Sequence, residues 1–183
     1  LDSKGFLEVE IPSLQPVYGG AAAKPFVTHC NALDQDMYLS ISPELYLKRF
    51  IVGGMEKVYT ITKNFRNEDI DVMHNPEFTE MECYQAYTDY NGMMDLTEQM
   101  TAYVCEEVLG KTKINYQGRE LDFSPPWTRI TMEHAVQKLA EIEVPEAERE
   151  LRRMVEKHQL EVKHRINRPN VINALFEKLV QPK

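Results

Sequence analysis

The segment Val-Tyr-Thr-Ile-Thr-Lys-Asn-Phe-Arg (58–66) alternates apolar and polar residues, and a second predicted strand, Glu-Phe-Thr-Glu-Met-Glu-Cys-Tyr-Gln-Ala-Tyr (77–87), follows a polar loop at 67–76. A period of two residues is typical of a β-strand, whose side chains point alternately to opposite faces. We predict that the apolar odd positions of the first strand face the core and that its polar even positions face a site or solvent. If the two strands pair as an antiparallel hairpin, one sheet surface collects Arg66, Phe78, Glu80, Glu82 and Tyr84.

Shorter patterns surround this pair of strands. We predict strands at 6–11 and 36–42, a loop at 13–25, and a hairpin over 114–123. A helix is predicted to begin at Ser42-Pro43-Glu44 and to end at Gly53-Gly54, and further helices are predicted at about 92–109, 132–141, 146–159 and 169–180. Strands followed by helices favour an α+β fold with an antiparallel sheet.

Composition excludes several classes of protein. The 183 residues are 43% hydrophobic and 27% charged, which is ordinary for a globular domain. No apolar run approaches the roughly 20 residues of a membrane span. The net charge of −8 makes the chain a poor candidate for binding nucleic acid by charge alone.

The cysteines and the chain ends also carry information. The chain contains an odd number of cysteines, Cys30, Cys83 and Cys105, and no pair of them has metal-ligand spacing. We therefore expect buried thiols in a reducing cytoplasm rather than a disulfide scaffold.

The chain opens on Leu1 and ends on Gln-Pro-Lys (181–183) directly after an apolar helical pattern. We therefore expect a piece of a longer protein.

The residues around the predicted strand pair suggest a ligand site. Arginine can bind a carboxylate or a phosphate through two parallel hydrogen bonds, an exposed aromatic ring can stack on a base, and carboxylates can hold an ammonium group. Taken one at a time, these residues have commoner structural roles: a solvated arginine, an exposed glutamate, a loop histidine and core aromatic rings. The pattern alone leaves a nucleotide or amino-acid site open.

Longer strings make the interpretation more specific. Phe-Arg-Asn-Glu (65–68) and His-Asn-Pro-Glu-Phe-Thr (74–79) resemble motif 2 of class II aminoacyl-tRNA synthetases. The strings at 19–26 (Gly-Gly-Ala-Ala-Ala-Lys-Pro-Phe), 43–49 (Pro-Glu-Leu-Tyr-Leu-Lys-Arg) and 82–90 (Glu-Cys-Tyr-Gln-Ala-Tyr-Thr-Asp-Tyr) resemble class II lysyl-tRNA synthetases, and residues 5–12 resemble the tail of motif 1. The resemblance is dense over 5–123 and thinner over 124–183.

This resemblance implies an antiparallel-sheet class II catalytic core that is incomplete and carries flanking helices. Residues 1–183 would be a partial catalytic domain, with a strand-rich core at 1–123, a helical segment at 124–183 and no anticodon-binding domain in this chain. The parent protein would use ATP to convert lysine to lysyl-adenylate, transfer the lysine to tRNA, and act as a cytoplasmic homodimer without a membrane segment. Motif 3 and the Mg²⁺ ligands would follow residue 183, so the chain alone is expected to be inactive.

The resemblance also assigns roles to individual residues. Arg66 would be the catalytic residue, bridging the lysine carboxylate and the α-phosphate of ATP. In the ATP site, Phe78 would stack on adenine, Glu68 would read its amino group, and His74 and Asn75 would lie near the phosphates. The lysine-binding residues would be Gly20, Glu44, Arg66, Glu82 and Tyr84. No metal ligand is assigned within the chain.

Several positions depart from the family pattern, and alternatives to a lysine–tRNA ligase stay open. Ser40 stands where arginine is frequent, Ser42 where alanine stands, and Glu80 adds a charge to the pocket face. Thr60 and Asp69 depart from the usual glutamate and glycine of motif 2. One alternative is a related ligase that modifies a protein or forms an amide, although such relatives usually lose the strings at 19–26 or 82–87. Another is a non-catalytic binding or dimerisation module, which the lack of motif 3 would favour.

Overall fold

A computed structural model describes residues 1–162 and 165–181 of the chain. The contacts divide it into two compact units, Leu1–Pro125 and Pro126–Lys183. All eight strands within these described residues belong to the first unit. The α+β class predicted from the sequence is confirmed.

The central sheet of the first unit contains the predicted strand pair. Its strand order is β1 (Leu7–Glu8), β5 (Lys57–Phe65) and β6 (Glu77–Gln85). Strands β5 and β6 pair antiparallel along their whole length, from Lys57 opposite Gln85 to Phe65 opposite Glu77. The predicted hairpin is therefore confirmed. Strand β1 is shorter than the predicted 6–11 and runs parallel to β5, so the sheet is mixed.

A second sheet of three strands has the order β2 (Leu14–Gln15), β4 (Gln35–Leu39) and β3 (Val27–Cys30). Only β4 follows the prediction. Strand β2 lies inside the predicted loop 13–25, and β3 carries no clear period-two pattern. The two residues of β2 form a strand because β4 supplies their partners, Leu39 and Tyr38, a contact that local sequence does not reveal.

Helices α1 (Glu44–Val52) and α2 (Tyr90–Leu109) and the hairpin of β7 (Lys113–Tyr116) and β8 (Arg119–Asp122) complete this unit. At the start of α1, the Ser42 hydroxyl accepts a hydrogen bond from the Glu44 N–H at 3.2 Å. Helix α2 begins two residues earlier than predicted because the Asp89 carboxylate caps it by accepting from the backbone N–H groups of Asn91 and Gly92.

The predicted burial of β5 is partly wrong. Thr60 and Asn64, on the polar even face, are 3% and 0% exposed, whereas Ile61 on the apolar odd face is 59% exposed. Asn64 on the even face is covered by the residue that follows β4, because the Ser40 hydroxyl donates to Oδ1 of Asn64 at 2.9 Å and the Phe65 N–H donates to the Ser40 carbonyl at 2.7 Å. The odd face is buried at Tyr59, which packs with Phe6 and Leu96, but not at Ile61.

The second unit is helical over its described residues. Helices α3 (Met132–Ala140), α4 (Glu148–His158) and α5 (Arg168–Leu175) are followed by a π-helical turn over Phe176–Val180. Val136, Leu151, Val171 and Leu175 form the centre of its core. Asn167 caps α5 by accepting a hydrogen bond from the Asn170 N–H, and proline occupies the first turn, as the sequence pattern predicts.

The three cysteines are free thiols; Cys105 is buried, and Cys30 and Cys83 are half-buried.

Among residues 1–162 and 165–181, no helix is both long and apolar enough to cross a lipid bilayer.

Candidate active site

A pocket of about 290 Å³ opens beside the loop between β5 and β6. It contains all five residues that the sequence assigns to ATP. The lining residues are Arg66, Glu68, Asp69, Met73, His74, Asn75 and Phe78. The antiparallel register brings them together because Asn64 lies opposite Phe78, so the chain that leaves β5 at Arg66 returns beside the start of β6.

Arg66 forms one wall of this pocket. Its backbone N–H donates to the Pro76 carbonyl at 2.9 Å, which closes the loop at its base. Its Nε and Nη2 atoms donate to the Ile41 carbonyl at 3.3 and 3.2 Å, and its guanidinium carbon lies 4.9 Å from the centre of the Phe78 ring. These contacts fix the plane of the guanidinium and direct its Nη1 side away from Ile41.

The loop itself is shaped by local hydrogen bonds. The Asp71 carboxylate accepts from the backbone N–H groups of Met73 and His74 at 2.7 and 2.8 Å, and it lies 2.8 Å from Nδ1 of His74. The hydrogen bond with His74, followed by that with the Met73 backbone, holds the pKa of Asp71 below its usual range. Nearer the strand, the Glu68 carboxylate accepts from the Lys24 N–H at 3.3 Å.

A second group of polar residues lies farther along the same face of β6. The Glu82 carboxylate accepts from the hydroxyls of Ser42 and Tyr84, at 3.2 and 3.1 Å. Burial and then the negative charge of Glu82 raise the pKa of Tyr84, so its hydroxyl stays protonated and remains a donor. Glu82 thus presents a half-buried carboxylate whose two oxygens are already oriented.

Gly20 and Glu44 complete this second group, because the backbone of Gly20 lies close to the side chains of Glu44 and Ser42. Gly20 has a φ of +90°, and a β-carbon on it would lie 2.8 Å from Cβ of Glu44 and 3.1 Å from Oγ of Ser42. Both the conformation and the lack of space require glycine here. The Glu44 carboxylate pairs with Lys48 at 2.6 Å, one turn along α1.

All the predicted site residues therefore belong to two neighbouring groups on one surface. The first group, which the resemblance assigns to ATP, surrounds Arg66 and Phe78, and the second group, which the resemblance assigns to lysine, comprises Gly20, Glu44, Glu82 and Tyr84. Arg66 connects them, because the Ile41 carbonyl that it binds directly precedes Ser42 in the chain.

Sequence reasoning placed Glu80 on the pocket face but missed its link to the buried residues Ser40 and Asn64. Ser40 and Asn64 are buried and joined by a hydrogen bond of 2.9 Å, and the amide of Asn64 donates to Glu80 at 2.6 Å. Burial and then the charge of Glu82 raise the pKa of Glu80, and the positive charge of Arg66 opposes this effect. The alternation of β5 already placed Asn64 on the polar face, but its burial depends on β4, which is distant in sequence.

The described ranges 1–162 and 165–181 hold no group of three or more histidine, cysteine, aspartate or glutamate side chains arranged to bind a metal ion.

Fold and site together define a class II aminoacyl-tRNA synthetase domain: the chain belongs to the family of class II tRNA synthetases (D, K and N), whose model matches residues 1–181. The family membership predicted from the sequence is confirmed. The chain is 55% identical to the lysine–tRNA ligase of Clostridium botulinum (strain Langeland), 56% to that of Clostridium novyi and 54% to that of Clostridium perfringens. Each comparison covers 100% of this chain and 38% of the relative's length.

Proposed function

We propose that the protein containing this chain is a lysine–tRNA ligase, which activates lysine with ATP as lysyl-adenylate and transfers it to tRNA. One structural observation carries the proposal. A pocket suited to a nucleotide lies beside a cluster of Gly20, Glu44, Glu82 and Tyr84, which we take as the amino-acid pocket, and Arg66 connects the two. The relatives named lysine–tRNA ligase support the choice of lysine.

The nucleotide pocket has groups for each part of ATP. The Phe78 ring offers an apolar surface for adenine, a kind of stacking worth about 1–3 kcal/mol per base. Glu68 lies at the base of the loop and would accept a hydrogen bond from the adenine amino group. His74 and Asn75 lie in the loop and would contact the phosphates.

Arg66 is proposed as the catalytic residue. An oxygen of the lysine carboxylate attacks the α-phosphorus of ATP, the new O–P bond forms, and pyrophosphate leaves. Both reactants are anionic, so a guanidinium that touches both reduces their repulsion and stabilises the charge of the transition state. The carboxylate is already ionised at neutral pH, so this step needs no general base. Because the Nε edge is held by Ile41, the Nη1 side can be directed toward the reactants.

The amino-acid pocket would hold lysine by its two ammonium groups. Glu44 and the backbone of Gly20 would bind the α-ammonium group. Glu82 and Tyr84 would contribute to the side-chain pocket, with Tyr84 reaching toward the ε-ammonium group. A half-buried carboxylate that is oriented by two hydroxyls suits this purpose, because little reorganisation is needed when the cation enters.

The remaining expectations concern the whole protein. We propose a cytoplasmic homodimer that binds tRNA and uses Mg²⁺ with ATP, the ion being held by residues outside this chain. Dimeric synthetases of this kind have isologous interfaces, the commonest arrangement in homo-oligomers. Sedimentation equilibrium of the full-length protein tests this point, and a tight tetramer would contradict it.

The enzymatic proposal is tested by three assays on the full-length protein. Isothermal titration should detect binding of ATP, lysine and a non-hydrolysable lysyl-adenylate mimic, and ATP–pyrophosphate exchange should depend on lysine. Radiolabelled lysine should then appear on tRNA. Label that accumulates on a protein instead would favour the related-ligase alternative, and binding without exchange would favour a non-catalytic module.

A further inference from the structure

The carboxylate of Asp71 is the centre of the hydrogen bonds inside the loop at 67–76. Its Oδ1 atom accepts from the backbone N–H groups of Met73 and His74 at 2.7 and 2.8 Å, and both of its oxygens lie 2.8 Å from Nδ1 of His74. These hydrogen bonds hold the pKa of Asp71 below its usual range, so the group is ionised at neutral pH. An ionised carboxylate only accepts, and the proton of the contact with the ring therefore lies on Nδ1 of His74.

This proton position decides what the other edge of the imidazole ring offers. His74 lines the 290 Å³ pocket together with Arg66 and Phe78, and in the part of the chain that the structure describes its Nε2 atom has no hydrogen-bond partner. A neutral ring whose proton lies on Nδ1 has only a lone pair on Nε2, which cannot donate to an anionic oxygen. His74 can therefore donate to a phosphate through Nε2 only as an imidazolium, with a proton on each nitrogen.

The charges around the ring are mostly negative. Asp71 contacts the ring directly, whereas at the start of β6 the carboxylate of Glu77 is engaged by Lys63 at 3.0 Å. The other charged residues that line the pocket are Arg66, Glu68 and Asp69. The phosphates of ATP would add further negative charge, and negative charge beside an imidazole favours its protonated form. Because histidine changes its charge near neutral pH, the arrival of ATP can complete the protonation of the ring.

We propose that Asp71 is a positioning residue of the nucleotide pocket that acts through His74: it holds Nδ1 as a donor toward itself, so that the ring meets the ATP phosphates as an imidazolium, through Nε2–H. The proton on Nε2 is taken up from the solvent when ATP binds, and no covalent bond of ATP changes in this step. The proposal rests on the proposed function, since it takes ATP as the ligand of the pocket. It gives the pocket a second cation beside Arg66 only while the phosphates are present.

A purely structural role of Asp71, in shaping the loop, makes different predictions, and two substitutions separate the two roles. Asp71→Asn keeps a side-chain oxygen that accepts from the backbone N–H groups of Met73 and His74, but it removes the negative charge that faces the ring. Asp71→Ala removes both the oxygen and the charge. If the charge acts on the ring, the asparagine variant should already show the defect.

The measurement is isothermal titration of the full-length protein with ATP near neutral pH, in buffers of different ionisation enthalpy, which gives the number of protons taken up with the ligand. The wild type should take up more protons than His74→Gln, by up to about one, because the glutamine variant keeps only the protonation of ATP itself. Asp71→Asn should lose most of this difference and bind ATP about three- to fivefold more weakly. Lysine affinity should be the same in all variants.

Asp36→Asn is the matched control. Asp36 also lies beside a histidine, with its Oδ1 atom 3.2 Å from Nδ1 of His29, but this pair belongs to the exposed hairpin of β3 and β4 and does not line the pocket. The control should keep both the proton uptake and the ATP affinity of the wild type. The double variant Asp71→Asn with His74→Gln should bind ATP no more weakly than His74→Gln alone, because Asp71 acts through the ring.

Each other outcome contradicts a defined step. A loss of ATP affinity from Asp71→Asn that persists in the His74→Gln background would overturn the proposal, because Asp71 would then act on the loop alone. Equal proton uptake in the wild type and His74→Gln would overturn it as well, and so would a defect confined to Asp71→Ala. These results leave the proposed function intact, whereas a wild-type protein that does not bind ATP would overturn the proposed function and this inference with it.

Discussion

The guanidinium carbon of Arg66 lies 4.9 Å from the centre of the Phe78 ring, so a cation and an aromatic ring from two paired strands form one wall of the pocket. This arrangement orients the guanidinium without neutralising it, because neither the ring nor the Ile41 carbonyl carries a formal charge. An arginine paired with a carboxylate would be less available for anionic reactants. Arg66 and Phe78 therefore provide the most direct tests of the proposed chemistry.

Replacement of Arg66 should abolish most of the activity. We expect Arg66→Ala in the full-length protein to reduce lysine-dependent pyrophosphate exchange more than a hundredfold, on the order of 3 kcal/mol or more of transition-state stabilisation. Arg49→Ala is the control, because Arg49 also stacks on a ring, that of Tyr46 at 4.7 Å, but does not line the pocket. A loss below about tenfold at Arg66 would remove it from the catalytic role.

The substitution Phe78→Leu should weaken the binding of ATP and leave the binding of lysine nearly unchanged. Leucine keeps an apolar side chain but removes the flat surface for adenine and the ring that orients Arg66. Steady-state exchange kinetics should show KM for ATP raised about tenfold, in line with the value of base stacking, and KM for lysine nearly unchanged. An equal rise in both constants would mean that Phe78 supports the fold rather than the nucleotide.

The close contact of the Gly20 backbone with Glu44 and Ser42 can be tested by comparing two glycine variants. Gly20 and Gly118 have φ values of +90° and +81°, but only Gly20 would bring a β-carbon into contact with other atoms. Gly20→Ala and Gly118→Ala should both lower the free energy of unfolding by about 1 kcal/mol through backbone strain. Only Gly20→Ala should also displace Glu44 and weaken lysine binding, by about tenfold or more. Similar lysine affinities in the two variants would contradict the proposed role of Gly20.

The pH dependence of folding stability can be tested at Asp122, in the hairpin of β7 and β8. Hydrogen bonds from the Ser124 side chain and backbone, and then from Lys113, lower the pKa of Asp122 to about 2. Since the unfolded value is near 3.9, Asp122 contributes stability above about pH 4, and this contribution is lost as the pH falls toward 2. Thermal melts should show that Asp122→Asn destabilises the chain at pH 5 but much less near pH 2.5. The exposed Glu120→Gln should show no such dependence.

The 183-residue chain by itself should not form lysyl-adenylate at a useful rate. Its nucleotide pocket offers only Arg66 and His74 as cationic groups, opposed by Glu68 and Asp69. Such a pocket should bind the ATP polyanion with a millimolar or weaker Kd, about −4 kcal/mol or less favourable. Pyrophosphate exchange should be measured with the chain alone and then with the rest of the protein added in trans. Robust exchange by the chain alone would show that its own residues suffice.

Local patterns predicted much of this structure. The patterns of β5 and β6 predicted both strands and the face that they share, and the segment Ser42-Pro43-Glu44 predicted the start of α1. The face of β5 that is buried was not predictable, because polarity at Asn64 suggests exposure unless its contact with Ser40 is known. The burial of Ser40 depends on the same long-range contact, whereas the sequence pattern already placed Glu80 on the pocket face.

The contacts of Ser40 and Ile41 with the end of β5 have a consequence for measurements on this protein. The two sheets of the first unit meet through the Phe65–Ser40 backbone bond and the hydrogen bonds of Arg66 to Ile41, which are the same groups that surround the ligand pockets. A ligand that bridges these groups adds a cross-link between the sheets and opposes their separation on heating. The melting temperature should therefore rise as lysine and ATP occupy these pockets. A dye-based thermal melt could then rank adenylate mimics by their binding before an enzymatic assay is available.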